Sequence, residues 1–202
     1  MRAPVLKEKI LRELAVKGET SVKELLAKFK VNRPYLYRIL RSLESNCAII
    51  LETGKIKVVD KKVLLYTWGE EKRKIFQIIK GITYRVRPKK VRDFVVFSGT
   101  SALWILGKVL EPSFGTAYIK KDDFDRLKQI GIKREGYPIR FYSYDEDIFN
   151  YTIGIRGYRL AIIEQVIADS IGEGMYTRII EELLEEMESG RDSGEELGQS
   201  DN

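Results

Sequence analysis

The sequence contains no histidine and only one cysteine, Cys47, among its 202 residues. The usual zinc sites and the Ser-His-Asp or Cys-His catalytic sets need these residues, and a lone cysteine cannot form an intramolecular disulfide. Several enzyme classes are therefore excluded. With no histidine to act as its base, we expect Cys47 to be a small buried apolar residue at the start of a strand.

Long apolar runs are missing as well. A helix that crosses a bilayer needs about 20 consecutive apolar residues, and no stretch of this sequence approaches that length. The first 18 residues place charges among apolar positions at helical spacing, unlike the uncharged core of a signal peptide. We therefore expect a cytoplasmic protein that does not contact membranes.

Charge is present in both signs but is unevenly distributed. Residues 1–92 hold 24 Lys and Arg against 9 Asp and Glu, a net charge of +15, whereas residues 93–202 hold 12 against 21, a net charge of −9. A segment this basic is typical of nucleic-acid binding, because each neutralised phosphate releases counterions. The acidic half is expected to meet a different partner.

The first 45 residues predict three short helices. Gly18 ends the first helix, and Ser21 with Glu24 forms the capping box of the second. Asn32 can cap a third helix, with Pro34 in its first turn where the missing N–H is tolerated. This third helix is expected to run from Arg33 to Ser45.

A hairpin is expected to follow the helices, with a strand from Cys47, a tight turn at Thr53-Gly54 and a returning strand. Three helices followed by such a hairpin indicate a winged helix-turn-helix over residues 1–62. Its basic and aromatic groups could simply be solvated or face a protein, but the order of elements and the charge favour double-stranded DNA. The predicted DNA-binding residues are Asn32, Arg33, Tyr35, Tyr37, Arg38, Arg41, Ser42, Lys55 and Lys57.

The remainder predicts a connector and a second domain, so the expected fold class is α+β. Residues 63–92 read as an apolar segment around Trp68, a helix from Glu70 to Ile82 and a strand from Thr83. Strands and helices then alternate over residues 93–188, which predicts a mixed α/β domain. Residues 189–202 lack core-forming side chains and are expected to form a mobile acidic tail.

Two segments of the second half resemble abortive-infection antitoxins of the AbiEi type. They are residues 97–107, FSGTSALWILG, and residues 157–169, which end at Asp169. The resemblance implies a winged helix that represses its own operon and a second domain that opposes a nucleotidyltransferase-like toxin protein. It therefore implies a DNA-binding transcriptional regulator and not an enzyme.

The turn at Ser98-Gly99 also resembles the start of a nucleotidyltransferase core, which leaves a nucleotidyl- or phosphoryl-transferring enzyme as the alternative. In that fold the next strand carries an Asp-x-Asp pair for two metal ions. The comparable positions here hold Thr116 and Tyr118. We therefore expect a degenerate relative of the nucleotidyltransferase fold without catalytic residues, metal or cofactor, and we assign the nearest acids to helix capping and solvation: Asp122, Asp123 and Asp125.

Two segments of the second domain are candidates for contact with a partner. The backbone N–H groups of a strand–glycine–helix turn can hold an anion, and this turn comprises Ser98, Gly99, Thr100 and Ser101. The last helix carries acids that could dock a basic protein or simply be solvated: Glu181, Glu182, Glu185 and Glu186. A homodimer and a plain interaction protein remain open alternatives.

Overall fold

A computed structural model describes residues 3–131, 134–174 and 177–189 of the chain. Beyond Ser189, the tail expected from the sequence lies outside the described residues. The elements of the N-terminal unit are α1 (Ala3–Lys17), β1 (Glu19–Ser21), α2 (Val22–Phe29), α3 (Arg33–Ser45), β2 (Ile49–Glu52) and β3 (Lys55–Val58).

The N-terminal unit packs its three helices against a small antiparallel sheet. The strand order is β1-β3-β2, so β3 is paired on both sides. The turn between β2 and β3 has positive φ angles at Thr53 and Gly54, 47° and 82°, as a two-residue hairpin loop requires. Leu11, Leu36 and Ile56 from different elements are fully buried in the shared core.

The other described residues form a mixed six-stranded sheet with helices packed on it. Its strand order is β4-β7-β6-β5-β9-β8, with parallel pairing between β6 and β7 and between β5 and β9. The strands are β4 (Ile82–Val86), β5 (Val95–Ser98), β6 (Gly115–Ile119), β7 (Tyr137–Tyr142), β8 (Thr152–Ile155) and β9 (Tyr158–Ala161). The helices are α4 (Lys61–Ile78), α5 (Pro88–Val91), α6 (Gly99–Ile105), α7 (Phe124–Gly131), α8 (Ile163–Glu173) and α9 (Thr177–Glu188).

Two glycines allow α4 and α8 to approach closely. A Cβ atom at Gly69 of α4 would collide with the side chain of Ile171 on α8, and one at Gly172 would lie 2.7 Å from Cβ of Lys72. Interiors are packed too densely to absorb such an addition without a shift. The absence of two side chains therefore sets the spacing of this helix pair.

The structure confirms the α+β class, corrects two local predictions and adds one strand that was not predicted. The connector helix was expected to begin at Glu70, but α4 begins at Lys61 and continues through Gly69. The three-residue strand β1 was not predicted at all. Cys47, expected to be buried, is exposed with a φ of 60°, and the next residue, Ala48, is the buried one.

Strand β4 belongs to the second sheet. Sequence analysis placed this segment in the connector of residues 63–92, whereas the structure pairs it with β7 from Ile82↔Phe141 to Val86↔Tyr137. Helix α4 contacts both α1 and α8. The connector is thus part of the packed structure that joins the two halves.

Candidate nucleic-acid interface and the buried polar cluster

Helix α3 begins with the cap that the sequence predicts. The side chain of Asn32 accepts a hydrogen bond of 2.8 Å from the backbone N–H of Tyr35, and Pro34 lies in the first turn. One face of the helix is buried through Leu36, Ile39, Leu40 and Leu43. Burial of this stripe orients the opposite, basic face towards solvent.

The basic face brings together most of the predicted DNA-binding residues. Asn32, Arg33, Arg38, Arg41 and Ser42 are exposed, whereas Tyr35 and Tyr37 are half-buried. The guanidinium of Arg38 lies 5.1 Å from the ring centre of Tyr35, and that of Arg33 lies 5.6 Å from that of Tyr37. A shallow open depression on this face is lined by Arg33, Pro34, Tyr37, Arg38 and Arg41.

Tyr35 also connects α3 to the start of α1. Its hydroxyl donates a hydrogen bond of 2.8 Å to the backbone carbonyl of Ala3. Burial raises the pKa of this tyrosine above its usual value. Tyr35 therefore remains a neutral donor, which ties the basic face to the first turn of α1.

The other predicted DNA-binding residues, Lys55 and Lys57, are exposed on β3. Lys55 directly follows the turn and pairs with Glu52 on β2. Lys57 pairs with Glu19 on β1. Each lysine thus has an acidic cross-strand neighbour, which reduces the local positive potential of the hairpin relative to that of α3.

A buried polar cluster that sequence analysis missed joins the two halves of the chain. Lys72 of α4 is fully buried and contacts the carboxylates of Glu8 on α1 and Asp169 on α8, the latter at 2.8 Å. Its ammonium group also donates to the hydroxyls of Tyr118 at 2.6 Å and Tyr144 at 2.7 Å. This cation is fully surrounded by oxygen acceptors, as a buried charge requires.

Arg12 of α1 extends the cluster. Its guanidinium bonds to Asp145 at 2.6 Å, Glu8 at 3.1 Å and Gln165 at 2.8 Å. Burial raises the pKa of Asp145, but the charges of Arg12 and Lys9 outweigh this effect and hold the pKa below its usual value. Asp145 is therefore ionised and paired with Arg12 at neutral pH.

Burial raises the pKa values of Tyr118 and Tyr144 well above their usual range, and the neighbouring carboxylates raise them further. Both phenols are therefore neutral donors inside the cluster. A simple signal for this cluster is hard to find in the sequence, since Glu8, Arg12 and Lys72 look like ordinary charged helix residues and their partners are distant along the chain.

The predicted anion-binding turn is buried, and a carboxylate of the chain itself occupies it. Glu173 of α8 accepts hydrogen bonds from the backbone N–H of Thr100 at 3.1 Å and from its hydroxyl. Gly99 has a φ of 50°, and a Cβ there would collide with this carboxylate. Ser98 donates to Asp169 at 2.5 Å, and Ser101 accepts from the hydroxyl of Tyr137.

Burial changes both the pKa and the hydrogen bonding of the Glu173 carboxyl group. Burial raises the pKa of its carboxyl group to about 7, although the hydrogen bonds from Thr100 oppose the shift. Its Oε1 atom is buried and has no hydrogen-bond partner among the described residues. An external anion would have to displace this side chain to reach the N–H group of Thr100.

The acidic residues nearest to the position of a catalytic Asp-x-Asp pair lie apart from this turn. Asp122 and Asp123 belong to a 3-10 helix that follows β6, and Asp125 lies in the first turn of α7. Over residues 3–131, 134–174 and 177–189, no three potential metal ligands of the His, Cys, Asp or Glu type come together. Thr116 and Tyr118 are buried on β6, where Tyr118 bonds to Asp169.

The acidic face of α9 is partly paired. Glu186 forms an ion pair of 2.8 Å with Lys108, and Glu182 forms one of 3.1 Å with Arg178 on the same helix. Glu181 and Glu185 are exposed. Two of the four acids thus have internal partners.

In the described part of the chain, none of the helices has both the length and the apolar character required to cross a lipid bilayer. No family matches this chain, and comparisons with curated proteins and with solved structures give no match either.

Proposed function

We propose that residues 1–62 form a winged helix-turn-helix that binds double-stranded DNA and that the chain is a transcriptional regulator. The observation that carries this proposal is the exposed face of α3, where Arg33, Arg38 and Arg41 lie together and the first turn holds no acidic residue. Arginine donors match guanine edges or phosphates. In this proposal α3 enters the major groove with its N-terminal half at the base edges.

The topology around α3 supports the same proposal. The order helix, strand, helix, helix, strand, strand, with β3 between β1 and β2, suits a recognition helix followed by a hairpin wing. Lys55 and Lys57 are then positioned for contacts with the DNA backbone. Such contacts add affinity but do not read sequence.

For the second half we propose a protein partner of basic character, as in an autorepressing antitoxin. The support is its net charge of −9 over residues 93–202, because an acidic surface attracts basic proteins and repels nucleic acid. The test is to incubate the full chain with labelled nucleoside triphosphates, magnesium or manganese, and RNA, DNA or protein acceptors. Label transfer that Asp122→Ala or Asp123→Ala abolishes would make the chain a nucleotidyltransferase instead.

The DNA proposal is tested with the full chain, because residues 1–62 alone would leave Glu8 and Arg12 without Lys72, Asp145 and Gln165. We expect fluorescence anisotropy to detect binding to labelled duplex DNA at low salt and a steep loss of affinity as salt rises. The test variant is Arg33→Gln/Arg38→Gln/Arg41→Gln, whose changes are all on the exposed face and which should bind DNA more weakly than wild type. If the folded wild-type chain binds no duplex at low salt, or if this variant binds as well as wild type, the proposal is wrong.

A further inference from the structure

An open cleft of about 440 Å³ lies beside the junction of the two halves, and nothing in the proposed function uses it. Its apolar wall is formed by Val5 of α1, Ile79 after α4, Ile82 of β4 and Phe124 of α7. Its polar groups come from Lys80, Lys121 and Ser143. The volume is within the range of small-molecule sites, roughly 300–1,000 Å³.

The topology of the sheet explains why a cleft forms here. Strands β6 and β7 are parallel neighbours, with Tyr118 paired to Tyr142 near their carboxyl ends. Both strands therefore leave the sheet at the same edge, and the residues that follow them include Lys121 and Ser143. The crevice outside the carboxyl ends of parallel strands is the place where open α/β sheets bind ligands.

The chemistry of the lining selects an anion with an apolar body. Lys80 and Lys121 are exposed at the cleft. The described lining includes no carboxylate, so nothing within the cleft neutralises these ammonium groups. Phe124 and Tyr144, both half-buried, add aromatic surface to the wall, and flat aromatic bodies pack well against aromatic side chains.

The cleft is also connected to α3. Val5 in its wall is two residues from Ala3, whose carbonyl accepts the hydrogen bond from Tyr35. Tyr35 in turn lies under the guanidinium of Arg38. A ligand that moves Val5 therefore acts on the residue that supports the basic face of α3.

We propose that this cleft binds a small planar aromatic anion and that its occupancy changes the affinity of α3 for DNA. The second clause rests on the proposed function, whereas the first does not. By linkage, a ligand that alters DNA affinity must have its own affinity altered by DNA to the same extent.

Calorimetric titration of the full chain tests the binding site. The probes are indole-3-acetate, its neutral analogue indole-3-acetamide, adenosine monophosphate and plain acetate. We expect an aromatic anion to bind, the neutral amide to bind at least about tenfold more weakly, and acetate to give no signal. Binding of indole-3-acetate would identify the ligand as an aromatic carboxylate, and binding of adenosine monophosphate would identify it as a nucleotide. The absence of binding by both at millimolar concentration would overturn the proposal.

Variants and methyl resonances locate the ligand. Lys80→Met/Lys121→Met is expected to weaken binding of the anion at least about fivefold and to leave the amide unchanged, while Lys128→Met, an exposed lysine of α7 outside the cleft, is the matched control. In methyl-labelled protein the ligand should shift the signals of Val5 and Ile82 but not that of Ile153 on β8. Shifts confined to Ile153, or equal effects of the variants on acid and amide, would place the ligand elsewhere.

The effect of the ligand on DNA binding is tested by fluorescence anisotropy with and without the ligand. We expect the affinity for duplex DNA to change by about fivefold or more and the change to vanish in Lys80→Met/Lys121→Met. A ligand that binds without changing DNA affinity overturns the coupling alone. If the chain binds no DNA at all, the proposed function fails while the calorimetric result still decides the site.

Discussion

Arg12 donates a hydrogen bond of 2.6 Å to Asp145, although 133 positions separate the two residues in the chain. Arg12 belongs to the first helix and Asp145 to the loop after β7, so this pair crosses from the N-terminal unit to the second sheet. Both side chains are buried. The orientation of the proposed DNA-binding unit is therefore fixed by charges that water does not reach.

Replacement of Arg12 by Met should destabilise the protein strongly. Glu8 and Asp145 would remain buried with fewer counter-charges, and a broken buried ion pair costs about 3–5 kcal/mol. Urea unfolding followed by circular dichroism measures the loss. The matched control is Lys17→Met on the same helix. Lys17 is exposed, and its partner Glu13 would keep an ion pair with Lys28, so the loss should be less than about 1 kcal/mol. Equal losses in the two variants would contradict a special role for the buried pair.

Glu173 should make stability depend on pH. Its folded-state pKa of about 7 lies above the ordinary value of 4.5, so the folded state binds the proton more tightly than the unfolded state. The contribution of this group to the free energy of unfolding is thus complete below pH 4.5 and is lost as pH rises to about 7, a decline of about 3 kcal/mol.

Glu173→Gln removes that titration, so the stability of the variant relative to wild type should rise between pH 4.5 and pH 7 and then level off. Urea unfolding across this pH window is the measurement. Glu181→Gln, on the exposed face of α9, is the control and should follow the wild-type profile. A constant difference between Glu173→Gln and wild type would show that this carboxyl group titrates normally.

Gly69→Ala should destabilise the protein even though alanine favours helix. The gain in helix propensity is at most about 1 kcal/mol, whereas a Cβ at this position meets the side chain of Ile171 near its backbone and overpacking costs about 1–3 kcal/mol. Thermal unfolding should therefore show a lower midpoint. Gly154→Ala on β8, where nothing lies within 4 Å of the added atom, serves as the comparison and should not lower it.

The two groups of proposed DNA contacts should differ in kind. Arg38→Ala and Arg41→Ala are expected to relax sequence preference, because a lost base contact costs about 1–3 kcal/mol of discrimination. Lys55→Ala/Lys57→Ala should weaken binding to all duplexes about equally and reduce the salt dependence. Competition binding with a randomised duplex pool measures both effects, and the reverse pattern would mean that the hairpin, not α3, reads the bases.

Local signals predicted the helical part of the N-terminal unit well. The capping box of Ser21 and Glu24 and the cap at Asn32 are present, because each depends on residues three positions apart. Strand β1 was missed because three residues carry too little pattern and form a strand only through pairing with β3. The start of α4 was misplaced because Gly69 looks like a helix breaker, and only its contact with α8 shows why it is tolerated.

The basic face of α3 was predictable because helical periodicity alone assigns its residues to one side. The buried cluster was not, since Glu8, Arg12 and Lys72 resemble solvated charges until their partners are known. The turn at Ser98 was predicted as a strand–glycine–helix junction, and the structure has one there. That Glu173 fills it could not be foreseen from residues 73 positions earlier in the chain.

The contact of Lys72 with both Glu8 and Asp169 also limits how this chain can be altered by recombination. A DNA-binding unit transplanted from another protein would bring a foreign first helix, and Lys72 would then be buried without one of its two counter-charges. Transfer of Glu8 and Arg12 together with the graft should be the minimum for a folded chimera. The two halves are therefore expected to tolerate exchange poorly, and changes to the proposed DNA specificity should be best tolerated on the exposed face of α3.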